Sequence, residues 1–168
     1  PAGGGRQSDL HEFMLTPRGT AIVTSYEVKP ASLTSVGGPS GGQVIGGIVQ
    51  EIEIPSARVI REWRSLEHVA IEESYAEFTG HSYDYFHVNS VDVDADGHWL
   101  VSARNTWTVY KVHRETGKVL WRLGGKRSDF EMGPGTRFAW QHDARHHDGG
   151  RLMTIFDNSA APPVASRS

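Results

Sequence analysis

Three stretches of the chain repeat one plan, and this repetition constrains the fold more than any single segment. Each begins at a His, passes through a few residues to a turn containing Gly, and ends in an apolar strand that finishes on polar residues. The first runs from His11-Glu12-Phe13 through Gly19 to Ile22-Val23-Thr24-Ser25. The second runs from His87-Val88-Asn89 through Gly97 to Leu100-Val101-Ser102-Ala103-Arg104-Asn105. The third runs from His142-Asp143-Ala144 through Gly150 to Met153-Thr154-Ile155-Phe156-Asp157-Asn158. The histidines lie 76 and 55 residues apart. Repeats near ~40–50 residues, each of four strands, indicate a β-propeller. Its blades stand radially, and the innermost strand of each faces a central channel. Equivalent positions at the start of each inner strand therefore converge on one axis, and distant histidines become neighbours.

The rest of the chain agrees with an antiparallel all-β fold. Ile48-Val49-Gln50-Glu51-Ile52-Glu53-Ile54 alternates almost strictly, which turns one face inward and the other outward. Short strands at 90–93, 98–102, 108–112 and 118–123 are separated by turn sequences such as Asp94-Ala95-Asp96-Gly97 and Arg114-Glu115-Thr116-Gly117, at hairpin spacing. They make one complete blade. Leu66, Val69, Ala70, Glu73 and Tyr75 suit a short surface helix. Residues 31–47, rich in Gly and Ser, read as a flexible insertion. Closure needs about 4–8 blades, whereas residues 1–168 supply about two and a half. The chain is therefore expected to be an incomplete propeller domain.

Composition narrows the function. The net charge is −3, so no basic excess exists to neutralise nucleic-acid phosphates. The absence of Cys removes a disulfide scaffold, Cys-ligated zinc and a Cys nucleophile within this span. No apolar run approaches the ~18 residues of a membrane span, and the N-terminus lacks the apolar stretch of a signal peptide.

Several phrases in order resemble the arylsulfotransferase (arylsulfate sulfotransferase) family. They include Asp9-Leu10-His11-Glu12-Phe13, Tyr83-Asp84-Tyr85-Phe86-His87-Val88-Asn89, Ser102-Ala103-Arg104-Asn105-Thr106, Trp121-Arg122-Leu123-Gly124-Gly125-Lys126, Phe138-Ala139-Trp140-Gln141-His142-Asp143-Ala144 and Phe156-Asp157-Asn158. The resemblance spans about Asp9 to Arg167. It implies a six-bladed propeller and transfer of a sulfuryl group from a phenolic sulfate ester to a phenol. It implies no nucleotide donor, no cofactor and no metal, but a sulfohistidine intermediate. It also implies export to the bacterial periplasm or cell envelope, or secretion. His87 and Asn89 match the family's His-Val-Asn-Ser motif and His142 its Gln-His motif, which makes them the expected catalytic residues. The histidine that accepts the sulfuryl group is expected on a later blade, beyond this chain. Arg104, Trp140 and, more loosely, Arg167 are the expected substrate-binding residues.

These residue types suit the chemistry. A sulfuryl group in transfer spreads negative charge over three oxygens and needs preorganised donors such as His, Asn or Arg. A phenol acceptor needs a base that works near neutral pH, which His provides. Trp107, Phe138, Trp140 and Tyr85 lie near the motifs and are suited to wall a pocket for a planar ring. Plainer readings stand beside these. His11 lacks an Asn partner, so a structural role weighs at least equally. Asn89 is as well suited to cap a turn. Arg104 is expected to pair with an acidic neighbour. Asp92 to Gly97 resembles the start of a calcium loop, yet Ala103 stands where that loop needs Glu, so a hairpin is expected. His146-His147-Asp148 and Lys126-Arg127 read as solvated turn residues and a solvated charge pair. Two other functions compete: a non-catalytic propeller that binds a partner, and a metal-dependent hydrolase built from the nine His.

Overall fold

The computed structural model describes residues 2–159, so Arg167 lies outside the described residues. Its strands fall into two sheets and a hairpin. β1 (Phe13–Leu15), β2 (Thr20–Ala31), β3 (Gly42–Glu53) and β4 (Val59–Arg64) form an antiparallel meander in chain order. β5 (Ser82–Asp84) adds to the far end of β3 in parallel. β6 (Val88–Val93), β7 (Trp99–Ala103), β8 (Thr108–Val112) and β9 (Val119–Gly124) repeat the meander. β10 (His142–His147) and β11 (Leu152–Phe156) form the closing hairpin. The protein is all-β: no α-helix occurs among the described residues, and no helix is long and apolar enough to cross a membrane.

The turns explain the hairpins. In the β6–β7 connection, Asp94 N–H donates to His98 C=O at 2.9 Å and Gly97 N–H to Asp94 C=O at 2.8 Å. Closing the loop this way requires a left-handed residue just before β7, and Gly97 takes it at φ +80. The Asp-rich loop is thus a hairpin turn, as its sequence suggests. The Lys111 ammonium sits between the Asp94 and Asp96 carboxylates, 2.5 Å from each.

Three expectations fail here. Residues 31–47 are not a loose insertion. Ala31 ends β2, Gly42 opens β3, and the register runs unbroken from Thr20↔Glu53 to Ala31↔Gly42. Several of its glycines serve close packing. A Cβ at Gly46 would lie 2.8 Å from Leu66, and one at Gly47 2.9 Å from Phe86. The stretch around Leu66 to Tyr75 is not a surface helix either. It holds two 3-10 turns, Ser65–Glu67 and Ile71–Glu73, joined through buried Val69. Here the crossover buries apolar groups on both sides, leaving no single helical face. His146, expected in a solvated turn, lies in β10 with its ring beside Asp94 (2.7 Å).

The core shows how the units stack. Trp99, Val101, Tyr110 and Val112 pack with Trp63, Phe86 and Val49 toward the first sheet. Leu100 and Val109 point the other way, to Ala144 and the flanking Met153 and Ile155 of the hairpin. β7 is buried on both faces along its whole length, and its first three residues are all apolar. Leu100→Ala should lower stability by about 2–5 kcal/mol, the usual cost of a core cavity, measurable by denaturant unfolding. A loss below about 1 kcal/mol would contradict close packing of the hairpin on this sheet.

The first strands of the three units are also tied together. The buried Glu12 carboxylate accepts the Val91 N–H at 3.0 Å and pairs with Arg145 at 2.8 Å. Arg145 in turn donates to Val91 C=O at 2.8 Å. Ser90 Oγ accepts Ala144 N–H, and Asp92 accepts His146 N–H. Side chains substitute for the backbone ladder that would otherwise join these edges, and they bring the histidine ahead of each strand to one place.

Candidate active site

His11, His87 and His142 converge. The His11 ring centroid lies 5.2 Å from that of His87 and 6.1 Å from that of His142. Residues separated by 76 and 55 positions in sequence thus share one cluster, and His11, for which a structural role weighed at least equally, belongs to it.

Each ring is held by Nδ1. His11 Nδ1 lies 2.5 Å from Asp9 Oδ2, and His87 Nδ1 lies 2.6 Å from Asp84 Oδ2. His142 Nδ1 lies 2.9 Å from the Trp140 carbonyl oxygen, which also accepts the Asn158 amide at 2.8 Å. The same Asn158 nitrogen is 2.9 Å from His142 Nδ1. No Nε2 of the three has a hydrogen-bond partner among the described residues.

Burial pushes the His142 imidazole below its ordinary pKa, opposed by the Trp140 carbonyl and reinforced by His11, His87 and Arg104. Asp9 stays below the usual carboxylate range: burial opposes ionisation, but the hydrogen bonds from His11 outweigh it. The backbone is strained around the cluster. His87, Trp140 and Asp143 have φ of 55, 51 and 52, a left-handed conformation that costs a non-Gly residue about 1 kcal/mol or more. The packing of the surrounding strands holds them there, and such strain concentrates at functional sites.

The other expected residues fall as follows. Asn89 is buried in β6, and its amide N–H donates to Gln141 C=O at 2.7 Å, just ahead of His142. Arg104 does not pair with an acid. Its guanidinium lies 4.2 Å above the Trp140 ring and donates to Asn105 Oδ1 at 3.1 Å, with no carboxylate partner among the described residues. Tyr85 lines no pocket: it is fully buried and donates its hydroxyl to Val69 C=O. Trp107, Phe138 and Trp140 do line a cleft, of about 1410 Å³, which abuts the histidines through Asp84, Arg104 and Trp140. Among the described residues no group of three or more His, Cys, Asp or Glu is arranged to hold a metal ion.

Asp9, Asp84 and Asn158 were not among the expected site residues. The signal was present for two of them: an Asp two positions before His11 and another three before His87. This is close enough for a carboxylate to fold back on its own imidazole.

A profile of the family described as Arylsulfotransferase (ASST) matches residues 5–168. The chain belongs to the arylsulfotransferase family. No curated protein matches it. The arylsulfotransferase match covers all three histidine segments, both sheets and the hairpin.

Proposed function

We propose that this arylsulfotransferase moves a sulfuryl group from a phenolic sulfate ester to a phenol without a nucleotide donor, through a covalent intermediate on His142. The two sheets and the hairpin are read as two blades and part of a third of a propeller whose channel face carries the histidines. Strand order in the two meanders and the Glu12–Val91–Arg145 ties support that reading.

The observation that carries it is the unequal treatment of three clustered imidazoles. His11 and His87 have carboxylates on Nδ1, which orient the rings with Nε2 toward the site and suit groups that take and return a proton. His142 has a carbonyl instead and is held toward its neutral form. The Trp140 carbonyl can only accept, and it already takes the Asn158 N–H, so we assign Nδ1–H to that carbonyl, which leaves Nε2 its lone pair to attack sulfur. The family resemblance alone puts the acceptor histidine beyond this chain; the geometry favours His142.

The step balances simply. His142 Nε2 forms a bond to sulfur as the sulfur–aryl oxygen bond breaks, and the electron pair leaves with the phenolate. The phenolate takes a proton from the imidazolium of His87 or His11. The acceptor phenol then returns its proton to that imidazole as its oxygen attacks sulfur, and the N–S bond breaks. Arg104 supplies positive charge beside the transferring oxygens. Asn89, by gripping Gln141, acts on the placement of His142.

Incubation with an aryl sulfate labelled in the sulfuryl group, followed by alkaline quench and peptide mapping, should place the label on the peptide containing His142. Label on no histidine, with turnover intact, would sink the covalent mechanism. Absence of both turnover and labelling would sink the transferase reading and leave a binding module.

A further inference from the structure

The cleft beside the histidines is far larger than one phenol ring requires. Pockets for whole drug-sized ligands span about 300–1,000 Å³, and this one holds about 1410 Å³. Three connections build it: the crossover after β4, the β7–β8 turn and the crossover after β9. Its walls are aromatic. The Tyr75 and Trp107 rings stack at 3.9 Å and 10°, and Trp140, Phe130 and Phe138 complete the lining.

Its charges are distributed unevenly. Nine of the twelve described arginines pair with a carboxylate. The exceptions are Arg104, Arg137 and Arg151, and the first two both line this cleft. Lys126 lines it as well. Backbone carbonyls of Ser74 and Glu72 hold its ammonium, which lies 4.9 Å from the Tyr75 ring. Lys126-Arg127 is therefore not a merely solvated pair, since Arg127 pairs with buried Glu73. Glu77 and Glu131 also line the cleft, as exposed as Arg137, but neither forms an ion pair among the described residues, and Asp84 is engaged by His87. Arg104 marks the histidine end. Lys126 lies at the Tyr75 ring, and Arg137 lines the same cleft.

We propose that this cleft holds the body of the acceptor, and that the acceptor is a multi-ring phenol carrying an anionic group remote from its reacting hydroxyl. The inference rests on the phenol-transfer reading above. The rings lie against the faces of Trp107 and Trp140 turned away from Tyr75 and Arg104, which already cover the opposite faces. The hydroxyl end faces Arg104 and the histidines. The remote anion meets Arg137, which has no carboxylate ion-pair partner among the described residues and supplies charge-assisted hydrogen bonds; Lys126, held by the Glu72 and Ser74 carbonyls near the Glu72 carboxylate, adds positive charge beside it.

Calorimetric titration of the full chain with phenol, hydroxybiphenyl and hydroxybiphenyl carboxylate tests this without requiring turnover. Affinity should rise about tenfold from phenol to hydroxybiphenyl and about tenfold again with the carboxylate, the size of one aromatic contact and one charge-assisted bond. Arg137→Ala, at an exposed position, should remove the second gain and leave the first. Equal binding of the three probes, or an Arg137→Ala loss shared by charged and uncharged probes, would overturn the proposal. Graded binding without sulfuryl transfer would refute the transfer reading alone. Transfer to phenol with ungraded binding would refute the cleft proposal alone.

Discussion

His142→Asn should reduce sulfuryl transfer by about 10⁴-fold or more, the scale of losing a covalent nucleophile, and should leave no acid-labile sulfate on the protein. Asn keeps polarity at a half-buried position, so the melting temperature should stay close to that of the parent. The pH dependence of the parent checks the same assignment. Burial and the adjoining His11, His87 and Arg104 depress the His142 pKa. The neutral nucleophile therefore persists below the ordinary imidazole value of about 6.5, and the acid limb of kcat/KM should fall below that value. The linkage has the same sign. A base depressed on folding contributes stability that is fully present above about 6.5 and is lost as pH falls through the lower folded value. If His142→Asn transfers sulfate at the parent rate, the nucleophile is another group.

Asp84→Asn should cost about 10²–10⁴-fold in kcat at neutral pH, with KM for the aryl sulfate little changed. The carboxylate accepts a hydrogen from His87 Nδ1, which fixes the tautomer and the ring orientation and turns the Nε2 lone pair to the site. An amide offers a donor in the same place, so the ring can turn to the other tautomer and present N–H where a lone pair is needed. Replacement of an orienting carboxylate by its amide in a serine protease has an effect at the upper end of this range. A merely structural role for Asp84 would lower stability and leave the pH profile in place. A pH-independent loss of the same factor at every pH would show that role and exclude the positioning one.

The repeated histidine plan carried the architecture because it is a property of spacing. Gly97 and its counterparts mark turns, alternation marks strands, and both are local, so the β6–β9 meander was legible residue by residue. The Gly-rich stretch at 31–47 misled for a physical reason. Glycine serves flexibility and close approach equally well, and only Leu66 and Phe86 packed on Gly46 and Gly47 tell which applies. Arg104 misled similarly: opposite charge is the default partner for a guanidinium, but the indole of Trp140 was nearer.

From its residues alone, the chain determined that it would form antiparallel strands, that His87 and His142 would stand at or just before the start of strands, and that aromatic groups would stand near them. These follow from local backbone preference and periodicity. Only the tertiary structure decided that His11 joins them, that Asp9 and Asp84 grip two of the rings while a carbonyl grips the third, and that Arg104 and Arg137, without carboxylate partners among the described residues, line the adjoining cleft. Those differences arise from distances between groups far apart in sequence. Burial and neighbouring charge, which set the protonation of an imidazole, exist only after the strands have packed.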